Sequence, residues 1–327
     1  MLMFITSVGG IMNTRLTTKI FVFIAIFNIT AVFAGTGKQR VVLISVDGLS
    51  AVTAQNALTA TLSEAEENGR YIINAKTVLP ARTIPAHTSM LTGLKPAVHQ
   101  MIDNSAHGES EIQDTTIFDY LNAAGKYTAA VVAKQKLKNI LSIDGPETID
   151  KLYYPEKVQP LSLGMSVFSY DHQRKIIPRA LEIIEENQFD FLFVHFADVD
   201  WKGHQFNFAA RWNQRVQTKT VRKIDKKISA IIAKLKETDP ELERTTIVVT
   251  SDHGGHGLDH GVEDTEGQKV DWEANFQSLT YDMFMPIDYT IPWISIGNKS
   301  RTLSIYGQSE VFVDDTYRMI QEIFTQK

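Results

Sequence analysis

The stretch 246-TIVVTSDHGGHGLDHG-261 decides how this chain folds. It opens with an apolar, β-branched run that stops at Ser251. Asp252, His253, His256, Asp259 and His260 then crowd into nine positions beside four Gly. A short, continuous apolar run predicts a strand buried on both faces. Four more such runs follow the same rule: VVLISV (41–46), AAVVA (129–133), FLFVHF (191–196) and IPWISI (291–296). Between them lie helical patterns near 51–68, 115–124, 172–187, 215–236 and 311–325. The clearest is 215–236, where Val221, Ile224, Ile228, Ile231, Ile232 and Leu235 make one apolar stripe with Lys and Arg opposite. Strands alternating with helices predict an α/β fold, a mostly parallel central sheet with helices on both faces. The least periodic segment, 138–170, reads as a small excursion.

In such a sheet, ligands bind beyond the carboxyl ends of the strands. Asp47 directly follows the first run, Asp198 and Asp200 the third, and Asp252 and His253 the fourth. A single Asp at a strand end is more often a turn or helix cap. Three distant segments bringing carboxylate and imidazole to one edge argue for more. Asp47, Asp200, His204, Asp252, His253 and His260 form a nitrogen and oxygen donor set without Cys, suited to two zinc-like ions. Two adjacent ions can clamp the attacking and leaving oxygens of a displacement at phosphorus. A hydroxyl nucleophile is available in VLPARTIPAHTSMLTGLKP (78–96). Thr83, just before Ile84 and Pro85, reads as a helix N-cap, where unpaired N–H groups favour an anion.

The start of the chain has a separate logic. Arg15 and Lys19 precede an apolar run from Ile20 that ends in Val32, Phe33 and Ala34. This reads as a secretory signal peptide, residues 1–34, with cleavage after Ala34 and Met1 or Met12 as initiator. The expectation is an exported protein, periplasmic or secreted, with no stable membrane span after cleavage and with 35–327 as one catalytic domain. With no Cys, it holds itself together by its core alone. The formal net charge of −5 and the lack of a basic patch speak against binding a nucleic-acid polymer. Oligomeric state is not legible.

The ordered set LISVDGL, LPARTIPAHTSMLTGLKPAVH, DNS, ADVDWKGH, SDHGGHGLDHG and IPWISIG spans residues 41 to 297. It resembles the type I phosphodiesterase/nucleotide pyrophosphatase family of the alkaline phosphatase superfamily. The resemblance implies an alkaline-phosphatase-like fold and a hydrolase with two Zn2+, or other divalent ions, that acts on a small phosphorylated substrate. It also implies a Thr nucleophile and a phospho-enzyme intermediate. Carried over by position, Asp47, Thr83, Asp252 and His253 hold one ion, and Asp200, His204 and His260 the other. Asn104 and the amide of Thr83 donate to a phosphoryl oxygen. His260 is preferred to His256, and Asp200 to Asp198, which lacks the Asp-x-x-Gly-His spacing. His87 and His99 look structural, and His195 reads as a satisfied core histidine.

Two departures bear on the substrate. Nucleotide-cleaving members carry Phe after the nucleophile as one wall of a base slot; here it is Ile84. Lys134 and Lys136, in VVAKQKLKN, resemble the Lys-x-Lys element of phosphonoacetate hydrolase and some alkaline phosphatases, and are candidate phosphoryl-binding groups. The reading is therefore a phosphatase or phosphodiesterase. A nucleotide pyrophosphatase proper, a phosphonate hydrolase and a catalytically silent metal-binding protein on the same fold are the alternatives.

Overall fold

The computed structural model describes residues 38–104, 112–155, 170–206, 211–255 and 285–325. The expected leader and its expected cleavage point, with His256 and His260, lie outside the described residues. The sheet has seven strands: β1 (Arg40–Val46), β2 (Gly69–Lys76), β3 (Thr128–Val132), β4 (Lys151–Tyr153), β5 (Phe191–Phe196), β6 (Thr245–Thr250) and β7 (Thr290–Ile296). Their order is β2-β7-β6-β1-β5-β3-β4. β1 lies parallel to both β5 and β6, and β3 parallel to β5 and β4. β7 runs antiparallel to both of its neighbours, β6 and β2. The sheet is mostly parallel, as the buried runs predict.

The alternation hidden in those runs appears in the packing. Val41 and Leu43 of β1 enter one core, while Val42, Ile44 and Val46 enter the other. Helices supply both cores, so neither face meets water. One face is covered by α1 (Ala51–Ala57), α2 (Thr59–Asn68), α6 (Tyr170–Glu186) and α8 (Arg211–Lys236), with Ala54, Ala65, Ile176 and Ile228 among their core residues. The opposite face is covered by α3 (Thr83–Thr92), α5 (Ile117–Ala123) and α10 (Asp315–Thr325), through Met90, Phe118 and Ile320. Short helices α4 (Pro96–His99), α7 (Asp198–Phe206) and α9 (Met285–Tyr289) lie in connections.

The structure adds two strands to the five expected. β2 is only partly buried and starts straight after α2; β4 is three half-buried residues at the opposite edge. Edge strands of that kind carry little apolar signal. The single helix expected over 51–68 is two. Ser50 caps α1, its Oγ accepting from Thr53 N–H at 3.4 Å. The chain breaks at Leu58, and the start of α2 is held by Asp225 of α8. Its carboxylate accepts from the N–H groups of Ala60 and Thr61, each at 2.9 Å, and from Thr61 Oγ1 at 2.6 Å. Among the described residues no helix is long and apolar enough to cross a membrane.

Candidate metal and phosphoryl site

Because β1, β3, β5 and β6 are mutually parallel, their carboxyl ends lie on one edge. Asp47 leaves β1, Lys134 leaves β3, α7 with Asp200 follows β5, and Asp252 and His253 leave β6. Backbone hydrogen bonds lock these ends together. Asp47 N–H donates to the Phe196 carbonyl at 2.9 Å, and Asp200 N–H to the Asp47 carbonyl at 3.0 Å. Ser251 Oγ donates to the Val46 carbonyl at 2.7 Å, and Gly48 N–H to Asp252 Oδ1 at 3.2 Å. Gly48 has φ +77°, and a Cβ there would stand 2.8 Å from Asp200 Cα. Only glycine lets the two strand ends approach this closely.

The side chains converge accordingly. Ligating atoms of Asp47, Asp200 and His253 lie within 4.8 Å of one another, and all three residues are buried. His253 Nε2 lies 3.2 Å from Asp252 Oδ2 and 3.5 Å from Asp47 Oδ1. Its Nδ1 is 2.7 Å from the Gly254 carbonyl, which can only accept. Nδ1 therefore carries a proton and donates to that carbonyl, and Nε2 is the nitrogen that faces the carboxylates and could ligate a metal. Asp47 Oδ1 and Asp252 Oδ2 are buried and accept no hydrogen bond among the described residues. Three buried carboxylates face one ammonium, so the cluster is short of positive charge. Burial and the charge of Asp47 raise the pKa of Asp252. Bare carboxylate oxygens beside an imidazole nitrogen, with no thiolate, fit a hard or borderline divalent cation such as zinc.

His204 Nε2 lies 3.2 Å from Asp200 Oδ1, one helical turn on. Asp198 faces away: it pairs with Lys227 of α8 at 3.3 Å. The two ligand groups drawn from the resemblance are thus in contact through Asp47 and Asp200, whereas His260 lies outside the described residues.

Thr83 is buried and is the first residue of α3; the N-cap is Arg82, in extended conformation. The expectation of Thr83 itself as N-cap is one position off. The consequence for an anion is unchanged, because the first turn of a helix has N–H groups without intrahelical partners. Ile84 N–H donates to Asn104 Oδ1 at 3.0 Å. That bond commits the oxygen end of the amide and leaves the NH2 end of Asn104 as its donor. Ile84 itself is fully buried in the core with Met90 and Phe118, so it offers no surface to a substrate.

Lys134 ties the parts together. Its Nζ lies 2.7 Å from Asp47 Oδ2, 2.7 Å from Asp200 Oδ2 and 3.2 Å from Thr83 Oγ1. Burial alone would lower its pKa, but Asp200, Asp47 and Asp252 hold it above the ordinary lysine value. Lys136 shows the opposite balance: burial and the charge of Lys134 push it down to about 8. Burial would likewise raise Asp47, yet Lys134, His195 and His253 hold its carboxyl well below the usual range.

Two histidines play larger parts than their sequence context suggests. His195 accepts from Ala133 N–H on Nδ1, at 3.2 Å, so its Nε2–H donates to Asp47 Oδ2 at 3.0 Å. It is a satisfied buried histidine, and it also orients a candidate ligand. His87 donates from Nδ1 to the Thr83 carbonyl at 2.8 Å and accepts from Ser45 Oγ at 2.9 Å, bracing the first turn of α3 against β1. Burial keeps it neutral, well below the usual histidine pKa. The available signal was position: Ser45 and His195 each precede a strand end. His99 is structural in its contacts, accepting from Met101 N–H at 3.0 Å and donating to Ser89 Oγ at 2.9 Å.

The family model for type I phosphodiesterase / nucleotide pyrophosphatase matches residues 41–275. The chain belongs to that family. It is a member of the alkaline phosphatase superfamily with it. A human protein, ectonucleotide pyrophosphatase/phosphodiesterase family member 1, is 34% identical over 76 residues, which are 23% of this chain and only 8% of that protein. Among solved structures, human ectonucleotide pyrophosphatase / phosphodiesterase 5 matches with a TM-score of 0.56 at 15% identity, covering 88% of this chain and 96% of that one. The C-terminal periplasmic domain of EcEptC from Escherichia coli, in complex with Zn, matches with a TM-score of 0.55 at 12% identity, covering 87% and 82%. At such identities these structures establish the shared fold.

Proposed function

We propose that this family member is an exported phosphoric ester hydrolase that cleaves small phosphorylated substrates through a phosphothreonine at Thr83. The observation that supports the reading best is Lys134, whose one ammonium touches the Thr83 hydroxyl and two carboxylates of a cation-deficient cluster. Asp47, Thr83, Asp252 and His253 would hold one divalent ion, and Asp200, His204 and His260 a second. When bound, zinc-like ions supply Lewis acidity that favours the alkoxide of Thr83 and offsets phosphoryl charge.

The remaining steps belong to the chain. Thr83 Oγ1 gives up its proton and forms a bond to phosphorus as the ester oxygen leaves in line and becomes an alcohol, and water later displaces Thr83 to release phosphate from a monoester or a phosphomonoester from a diester. The NH2 of Asn104 and the amide of Thr83 donate to a non-bridging oxygen. His195 fixes Asp47, and His87 fixes the carbonyl of Thr83, so neither must reorganise during reaction. The buried Ile84 speaks against a base-stacking slot at that position and moves the reading toward monoesters, phosphonates or simple diesters rather than nucleotides. The leader supports export, with 35–327 as the mature catalytic domain.

Thr83→Ala tests the covalent step. It should remove turnover of a panel of monoesters, diesters and phosphonates while leaving zinc content nearly intact, as read by elemental analysis. A variant that keeps more than about a tenth of its rate, a change of roughly 1.4 kcal/mol or less, would show that water attacks directly.

A further inference from the structure

Beyond the strand ends lies a cavity of about 480 Å³ that the proposed mechanism does not use. Val78, Pro80, Ile102, Tyr289 and Phe312 line it, with the exposed Lys95 beside them. That volume lies within the range of small-molecule pockets, and an apolar lining with one cation is their usual chemistry. Exposed Ala97 and Gln100 also line it, so solvent reaches it.

Its walls are tied to the site along the chain and by one hydrogen bond. Pro80 stands three residues before Thr83, and Ile102 two residues before Asn104. Thr77, a lining residue, donates from Oγ1 to the carbonyl of Asp252. Thr77 N–H donates to the Tyr289 carbonyl at 2.9 Å, which joins the wall at the end of β2 to the one before β7. On the other side of the nucleophile, Ile84 is sealed in the core and grips nothing. Lys95 Nζ lies 4.0 Å from the centroid of the Phe312 ring and 2.9 Å from Asp314 Oδ1, so the aromatic wall is held in place.

We infer that this cavity binds the organic arm of the substrate, a planar apolar alcohol or aryl group esterified to the phosphoryl group at Thr83. The inference rests on the hydrolase reading for its substrate but not for its test. The arm enters between the Val78–Pro80 segment and Phe312, and Tyr289 supplies a second ring. Specificity then resides in α4 and the segment before Thr83, not in the residue after the nucleophile.

The test compares binding of 1-naphthylphosphonate and methylphosphonate, which have no ester to cleave, by calorimetry on the zinc-supplemented full chain. The wild type should bind the naphthyl compound roughly tenfold more tightly or better, the scale of one well-filled apolar subsite. Ala97→Trp, which fills the cavity from an exposed position, should erase that preference. Val98→Trp, exposed on the same short helix and outside the lining, should keep it. Equal affinities in the wild type, or an undiminished preference in a folded Ala97→Trp, would overturn the proposal. If the wild type shows the preference yet cleaves neither the 1-naphthyl and methyl monoesters nor the corresponding diesters and phosphonates, the hydrolase reading falls while the pocket stands.

Discussion

Lys134 carries the sharpest consequence at the scale of single residues. An ammonium held by two carboxylates and a threonine hydroxyl is positioned to follow the charge that arrives with a phosphoryl group. A monoester dianion brings one more charged oxygen than a diester. A charge-assisted hydrogen bond to it is worth about 1.5–3 kcal/mol. Lys134→Ala should therefore lower kcat/KM for a monoester by roughly 10- to 150-fold, at about 1.4 kcal/mol per tenfold. A diester with the same leaving group should lose little, and equal losses on both would return Lys134 to a counter-ion for Asp47 and Asp200. Lys136, pushed down to about 8, is charged mainly below that pH. The effect of Lys136→Ala on the monoester should accordingly be largest on the acid side and fade above it. Gly48 makes a different demand. With φ at +77° and Asp200 Cα so close, Gly48→Ala should cost about 1 kcal/mol or more of stability, measured by urea unfolding.

Asp225 shows at the scale of elements how one helix completes another. Its carboxylate, buried in α8, takes three donors from the first turn of α2, which has no side-chain cap of its own. Asp225→Ala should cost about 1–3 kcal/mol, the range for stranding buried donors, whereas Asp225→Asn keeps an acceptor and should cost less. Equal midpoints for wild type and Asp225→Ala in urea would show that water replaces the cap. The same contact explains why a helix break at Leu58 was illegible. The cap for α2 comes from a residue far along the chain, which local pattern does not see. The central strands were legible for the opposite reason: burial on both faces forces unbroken Val, Ile and Phe runs. Edge strands β2 and β4, half wet, carry no such mark. The site divides the same way. Asp47, Asp200, Asp252 and His253 stand directly at strand ends and could be read from order alone. The roles of His195, His87 and Lys134 depend on which strands are neighbours, a property of β1 lying between β5 and β6 and of β3 beside β5.

At the scale of the whole molecule, the parallel sheet gathers negative charge at one edge and the fold must tolerate it. Asp47, Asp200 and Asp252 are each nearly inaccessible, and Lys134 is the cation seen among them. The unfolded chain disperses these charges and has no preformed site, so a divalent ion binds the native state preferentially. Such binding stabilises by about 2.7 kcal/mol at a hundredfold excess over Kd. A kilocalorie moves Tm by about 2–4 °C in domains of 150–250 residues, so the expected rise in zinc over chelator is roughly 5 °C or more. The rise should saturate with zinc concentration and reverse on chelation. Thr83→Ala should retain most of it, because the carboxylates and His253 remain. Asp47→Asn should lose most of it, because one charge is gone and the amide presents a donor to the space where His253 Nε2 and Asp252 converge. Calorimetric scans of the three proteins with and without zinc decide the matter. Identical Tm values in zinc and chelator would mean that Lys134 and the histidines already balance the cluster, and that the strand ends form an ion-pair network in place of a metal site.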